Sequence, residues 1–311
     1  MTPKRVLWIA GTAAFLYVGA FYWVVTNFDI PPLSAYAVSL ILAGGAVEIT
    51  AKLFFGLLFR ESIRHAGGEV SPWSAFKAAL VGAGVARLIP AGGAITPVAM
   101  AWTVRDEAAG SAGAAIRTVL LNYSGLLIMT GAGLLLARPR ESAQFLSVSL
   151  FVLAPFVLGA GILLMFGSGK LGTLLNLLPA RIRAKLEASL INHAPALQSQ
   201  LLIWGRLVAE AGALWLVLEA FGIEVSVYQV IAAFGVSQLA GGVPGTPGGM
   251  GITEGALAFI LAAYGFPVTT ILAPVLVFRV ISYWLPAAFG FLAGGSTFLG
   301  SEAAKTAEAG D

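Results

Sequence analysis

Seven of the ionisable residues inside apolar stretches of this 311-residue chain are candidates for chemistry: Glu48, Lys52, Arg87, Arg206, Glu210, Glu254 and Arg279. A charge in an oily medium is costly, so each of them asks for a partner or a purpose. Glu48 and Lys52 stand four residues apart, as do Arg206 and Glu210, so in helices each pair shares one face. Mutual neutralisation between packed helices accounts for Glu48 and Lys52, because Lys52 lies near the end of its stretch, where a long stem reaches the interface. Arg206 and Glu210 fit either neutralisation or a binding site. Arg279 falls near the middle of its stretch and needs an anion. Two readings stand side by side: a structural lock with Glu254, or a site in which Arg279, with Arg87 or Arg206, receives the phosphate of a lipid headgroup. An ionised Glu254 repels that phosphate, so it pairs with Arg279, meets a cationic headgroup, or is protonated in one state.

The elements that must carry these residues are membrane helices. With 58% hydrophobic and 11% charged residues and a mean hydropathy of +0.89, the chain has too little polar side chain to cover a soluble domain. The net charge of +3 reflects basic residues in loops beside apolar spans, as membrane topology requires, and excludes a nucleic-acid partner. Full spans are expected over 6–25, 34–58, 114–137, 144–166, 197–221 and 268–292, the first being a retained helix and not a cleaved signal. The link 27–32 has no basic residue and is placed outside; Lys4, Arg5 and a basic loop with Arg60, Arg64 and His65 are placed in the cytoplasm. Arg138 and Arg140 then lie outside, against that trend. The polar stretch 167–196 reads as a surface helix on the cytoplasmic face, and 301–311 as a disordered tail behind a single transmembrane domain over 1–300.

Two further apolar stretches are interrupted. One, 75–102, breaks at Pro90-Ala91-Gly92-Gly93-Ala94, with Thr96 expected to cap the second half and Pro97 to open it. The other breaks at Gly245-Thr246-Pro247-Gly248-Gly249-Met250-Gly251 between runs over 228–243 and 255–264, each too short to cross a bilayer. Thr253 is expected to cap the restarting helix and Glu254 to place a carboxylate in its first turn. Broken backbone is tolerated in a membrane where it lines a cavity or is buried in protein, so both breaks mark a site. Gly92-Gly93 and Gly248-Gly249, Ile95-Thr96 and Ile252-Thr253, and an Ala-x-Ala-aromatic ending align with a single gap. The fold expected is therefore all-α: a polytopic membrane protein with two re-entrant helix hairpins in an inverted repeat, its halves spanning about 34–137 and 197–292.

The pattern Pro247-Gly248-Gly249-x-Gly251-x-x-Glu254, then Arg279-x-x-x-Tyr283-Trp284-x-Pro286 and Gly290, resembles the C-terminal signature of the transmembrane, flippase-like domain of lysylphosphatidylglycerol synthases. The resemblance extends in hydropathy and segment order to most of the chain and implies a stand-alone member that handles lipid. Relatives often carry Arg and a Gly-Glu pair after the proline of the earlier break, where this chain has Pro90-Ala91-Gly92-Gly93-Ala94. The soluble aminoacyl-transferring domain of some relatives has no counterpart in the sequence, so no synthesis of lysyl lipid is expected.

Enzyme chemistry finds little footing. The chain has no cysteine, and its two histidines, His65 and His193, cannot form a HExxH zinc site. The aspartates, Asp29, Asp106 and Asp311, are too scattered for a magnesium-dependent prenyl transferase, and Gly167-Ser168-Gly169-Lys170 lacks the upstream glycine and trailing hydroxyl of a phosphate loop. No cofactor is expected. Trp102, Tyr123, Trp204, Trp215, Tyr283 and Trp284 read as interfacial anchors or packing residues, and Gly44-Gly45 and Gly131-x-Gly133 as close-packing positions. The reading is an inner-membrane lipid transporter that binds an anionic phospholipid, glycolipid or polyprenyl-phosphate headgroup at Arg87, Gly92, Gly93, Arg206, Glu210, Gly248, Gly249, Thr253, Glu254 and Arg279. The alternative is a membrane partner that presents lipid to a separate glycosyl- or aminoacyl-transferase.

Overall fold

The computed structural model describes residues 3–28, 32–88, 92–138, 144–166, 195–242 and 246–295, and every regular element among them is helical. The surface helix expected over 167–196 falls almost wholly outside the described residues, as do the tail 301–311, Arg140, Pro90, Ala91 and Gly245. The long helices are α1 (Pro3–Asn27), α2 (Ala35–His65), α5 (Ser111–Leu136), α6 (Gln144–Phe166) and α7 (Leu197–Ala220). Between them lie two pairs of short helices: α3 (Pro72–Leu88) with α4 (Gly92–Thr103), and α8 (Val227–Gly241) with α9 (Ile252–Ala263). The chain closes with α10 (Val268–Arg279), a widened turn at Val280–Trp284 and α11 (Leu285–Gly290), which follow one another without a break.

Among the described residues, five helical stretches are long and apolar enough to cross a membrane: Ala35–His65, Ser111–Leu136, Ser149–Phe166, Leu197–Ala220 and Val268–Gly294. Large apolar side chains such as Phe15, Leu42, Phe156 and Leu292 stand exposed on the outside of the bundle, the surface that hydrocarbon covers. The protein is a polytopic all-α membrane protein. The short helices are a different kind of element. With 17, 12, 15 and 12 residues, none reaches the roughly 20 that a crossing needs.

Three expectations about helix ends change. Arg60, Arg64 and His65 are not in a loop: α2 runs on through them for 31 residues, about 46 Å. Glu61 supports that extension from within, 3.7 Å from Arg64 and 3.5 Å from His65, and Arg60 Nε donates to the Val70 carbonyl. Thr96 does not cap α4, which begins four residues earlier at Gly92 and carries Pro97 inside it. Nor does Thr253 cap α9. Gly251 does, at a φ of +79° that a side chain would resist, while the Glu254 carboxylate accepts from the Gly251 amide at 2.9 Å.

The order long, short, short, long occurs twice, in α2 to α5 and again from α7 to the unbroken stretch of α10 and α11. Packing between these two sets is reciprocal. Helix α2 lies along α7, α8 packs on α5, and α3 packs on α11. Small residues allow the close approaches that the sequence led one to expect at Gly131 and Gly133, where an added Cβ would lie 2.6 Å from Leu158 and 2.7 Å from the Ala232 amide. Another close crossing unites Gly84 of α3 with Gly290 of α11, where a Cβ on Gly84 would stand 2.9 Å from the Gly290 Cα. Gly84→Ala should therefore lower stability by about 1–3 kcal/mol, since backbone must move to admit the methyl group. Gly212→Ala in α7, with open space around it, should be neutral or raise stability by up to about 1 kcal/mol. Thermal unfolding of both variants in the same detergent checks the contrast.

Candidate functional site

The second break is built on left-handed backbone. Gly248 and Gly249 take φ values of +54° and +71°, which turn the chain sharply after Pro247. That turn lies against the end of α3 and on α4, so it packs on both helices that flank the first break. A Cβ on Gly248 would stand 3.0 Å from the Arg87 Cα and collide with the Tyr283 ring, so only glycine fits between them.

Tyr283 organises this junction. It is 2% exposed, and its hydroxyl donates to the Arg87 carbonyl at 2.5 Å and lies 3.4 Å from the Pro247 carbonyl, so it bridges the two breaks. Its ring also faces two guanidinium groups, Arg279 at 4.9 Å and Arg87 at 5.9 Å. It is therefore not an interfacial anchor. The widened turn Val280–Trp284 carries it, and the same turn aims the Ser282 carbonyl at Arg87 Nη2, 2.7 Å away. Arg279 Nε donates to Glu254 Oε1 at 2.8 Å, and its Nη2 to the Gly248 carbonyl at 3.2 Å. The pair expected between Arg279 and Glu254 thus exists and is tied to the break itself.

The two i,i+4 pairs also form, but as one network. Lys52 Nζ lies 2.7 Å from Glu48 Oε1 and 2.5 Å from Glu210 Oε1, and Arg206 Nη2 reaches the same Glu210 oxygen at 3.0 Å. The Glu48, Lys52 and Glu210 side chains are at most 7% exposed. Lys52 therefore does not reach for an interface; it joins α2 to α7. The Arg206 guanidinium lies 4.4 Å over the Phe55 ring.

Between this network and the two breaks is a cavity of about 180 Å³. Arg87, Gly93, Arg206, Glu210, Gly248, Thr253 and Arg279 all border it. Glu254 stands behind Arg279, Gly249 is buried within the turn, and Gly92 opens the helix that carries Gly93 to the wall. Sequence reasoning missed the share of Glu48 and Lys52 in this wall, and it missed Asn122, Gln238 and Ser282 altogether. A signal existed for two of these: Asn122 is the lone side-chain amide in the apolar stretch of α5, and Gln238 sits among apolar residues near the end of α8.

Electrostatically the cavity leans positive. Lys52, Arg87, Arg206 and Arg279 line it with Glu48 and Glu210, and Glu254 stands behind Arg279, which leaves one cation over among the described residues, where no carboxylate pairs with Arg87. Buried polar atoms without a hydrogen-bond partner gather here too: Glu48 Oε2, Asn122 Oδ1, Arg206 Nε and Nη1, and Ser282 Oγ all belong to residues of the wall. Such atoms are expensive to leave bare, so the wall is suited to a polar, net anionic occupant.

Sequence comparison agrees with this architecture. Two proteins of Methanothermobacter thermautotrophicus, each described as a UPF0104 membrane protein, are 39% identical to this chain over 77 residues and 30% identical over 92. Those alignments take in 25% and 30% of this chain and 23% and 26% of the relatives, so the chain spans about a quarter of the length of the curated relatives it matches. The family described as "Lysylphosphatidylglycerol synthase TM region" matches residues 5–290, from α1 to the end of α11. A helical membrane bundle with the Gly248-Gly249 break, Glu254 and Arg279 at its centre, matched over that length, belongs to the lysylphosphatidylglycerol synthase transmembrane family.

Proposed function

We propose that the protein binds a membrane lipid by an anionic headgroup between the two broken helix pairs and carries it from one leaflet to the other. The observation that supports this most is the central cavity, where one cation is left over and two Arg206 nitrogens lack partners. Guanidinium groups match phosphate oxygens in shape and charge, so a phosphate shared by phospholipids and polyprenyl-phosphate carriers suits the wall. The family's name ties it to lipid, which points the same way.

The short helices support a re-entrant arrangement, in which each pair enters the membrane and leaves on the same side. Reciprocal packing of α8 on α5 and α3 on α11 supports a twofold relation between the halves, the geometry that lets one half rock against the other around a shared site. In this reading the protein resides in the cell's inner membrane, and movement is downhill or coupled to an ion gradient.

Reconstitution of the purified protein into vesicles with a fluorescent phospholipid tests the proposal. The protein should accelerate transfer between leaflets, and Arg206→Gln should slow it by about tenfold or more, the equivalent of one charge-assisted hydrogen bond. Lys52 still contacts Glu210 in that variant but also serves Glu48, so thermal unfolding is measured beside it and transfer is compared at equal amounts of folded protein. Undiminished transfer by Arg206→Gln would refute the assignment. Lipid binding without transfer would point instead to a protein that presents lipid to a separate transferase, and headgroup turnover to an enzyme.

A further inference from the structure

A second hollow of about 640 Å³ opens on the other side of the Pro247–Gly249 turn. Its walls are Trp8, Leu16 and Tyr17 of α1, Pro247 and Met250 of the break, and Leu276 of α10, with Gly251 and Glu254 at the back. Tyr17 holds α1 in place here, its hydroxyl donating to the Leu276 carbonyl at 3.3 Å and its ring meeting Trp284 edge-on at 5.9 Å. Trp8 and Leu16 are largely uncovered, at 78% and 64% exposure.

The turn is a partition one strand of chain thick. Gly248 faces the polar cavity, while Pro247, Met250 and Gly251 face the apolar hollow. One ion pair passes through it: Glu254 belongs to the hollow's wall and Arg279 to the cavity's wall, 2.8 Å apart. The carboxylate donates nothing to an anion and repels it, with one oxygen on Arg279 Nε and the other on the Gly251 amide. An anionic headgroup gains nothing there, whereas hydrocarbon does.

We propose that this hollow seats an acyl chain of the same lipid whose headgroup enters the polar cavity, so that the bound molecule straddles the Pro247–Gly251 turn. The inference rests on the reading given under Proposed function, since the cavity supplies the reason for an amphiphile to lie across the partition. It assigns Trp8, Met250 and Leu276 as tail contacts, and α1 as a wall of the binding site and not a bystander.

A phospholipid with a photoreactive diazirine at the end of one acyl chain, incorporated into vesicles with the intact protein, tests this. Mass spectrometry after illumination should find adducts concentrated on Met250, Leu276 and Trp8, above the level on Phe156 and Leu42, which are exposed elsewhere on the bundle. Filling the hollow from α1 with Thr12→Trp and Ala20→Trp should lower that labelling and the transfer of long-chain lipid by about tenfold, comparable to the loss of two buried methylenes. The same variant should bind a dibutanoyl phospholipid as well as the unaltered protein does. Labelling spread evenly over Phe156 and Leu42, or full-rate transfer of long-chain lipid by the filled variant, overturns the tail assignment. Failure of the unaltered protein to bind the dibutanoyl lipid, with adducts still concentrated at Met250 and Leu276, overturns the headgroup reading and leaves the tail seat standing.

Discussion

Lys52→Met should destabilise the bundle more than any other single change at its centre, by about 3–5 kcal/mol, because it strands a carboxylate in the interior. Lys52 Nζ is the cation between Glu48 Oε1 and Glu210 Oε1, and all three side chains are nearly sealed off. Arg206 can still neutralise Glu210 after the change, but among the described residues nothing else pairs with Glu48. The double variant Glu48→Gln with Lys52→Met should therefore recover most of the loss, since the remaining Arg206 and Glu210 balance one another. Thermal unfolding in detergent, with the single and double variants compared side by side, reads the difference. Equal melting of the two would mean that the network is not what ties α2 to α7.

The parts of this site that could be read from the sequence are those that depend on spacing along one helix or on a local backbone demand. Glu48 with Lys52 and Arg206 with Glu210 meet because four residues make one turn, and no tertiary knowledge was needed to say so. The breaks at Gly92-Gly93 and Gly248-Gly249 showed as glycine and proline inside apolar runs too short to cross a membrane. What could not be read is how helices face each other. Lys52 joins Glu210 only because α2 and α7 lie close enough for an added Cβ on Gly44 to come within 3.4 Å of the Ala213 carbonyl, and that register is set by packing. Tyr283 reads as an interfacial anchor or packing residue because its sequence neighbours give no sign of a widened turn that swings it between two arginines. The aligned glycine pairs also proved to do different work. Gly92 and Gly93 begin a helix, whereas Gly248 and Gly249 form a left-handed turn ahead of one, a difference of a few dihedral angles that identical residue types conceal.

Arg279→Gln should reduce lipid transfer by about 100-fold, and the comparison that explains why is the double variant with Glu254→Gln. Arg279 has two claims on it. Towards the break it is a structural lock, since Nε holds Glu254 and Nη2 holds the Gly248 carbonyl. Towards the cavity it is part of a cationic wall, stacked on the Tyr283 ring with Arg87 on the same ring. Removing the guanidinium alone leaves Glu254 with a bare charge in a side chain that is only 13% exposed, so stability and transfer should fall together. Neutralising both members removes that stranded charge, and Glu254→Gln retains an oxygen that can accept from the Gly251 amide. The double variant should therefore melt close to the unaltered protein. If Arg279 serves only as a lock, transfer returns with stability; if it also receives the headgroup phosphate, transfer stays low in a protein that is folded. The second outcome is the one expected, because Arg279 borders the cavity next to a cation, Arg87, that no described carboxylate neutralises.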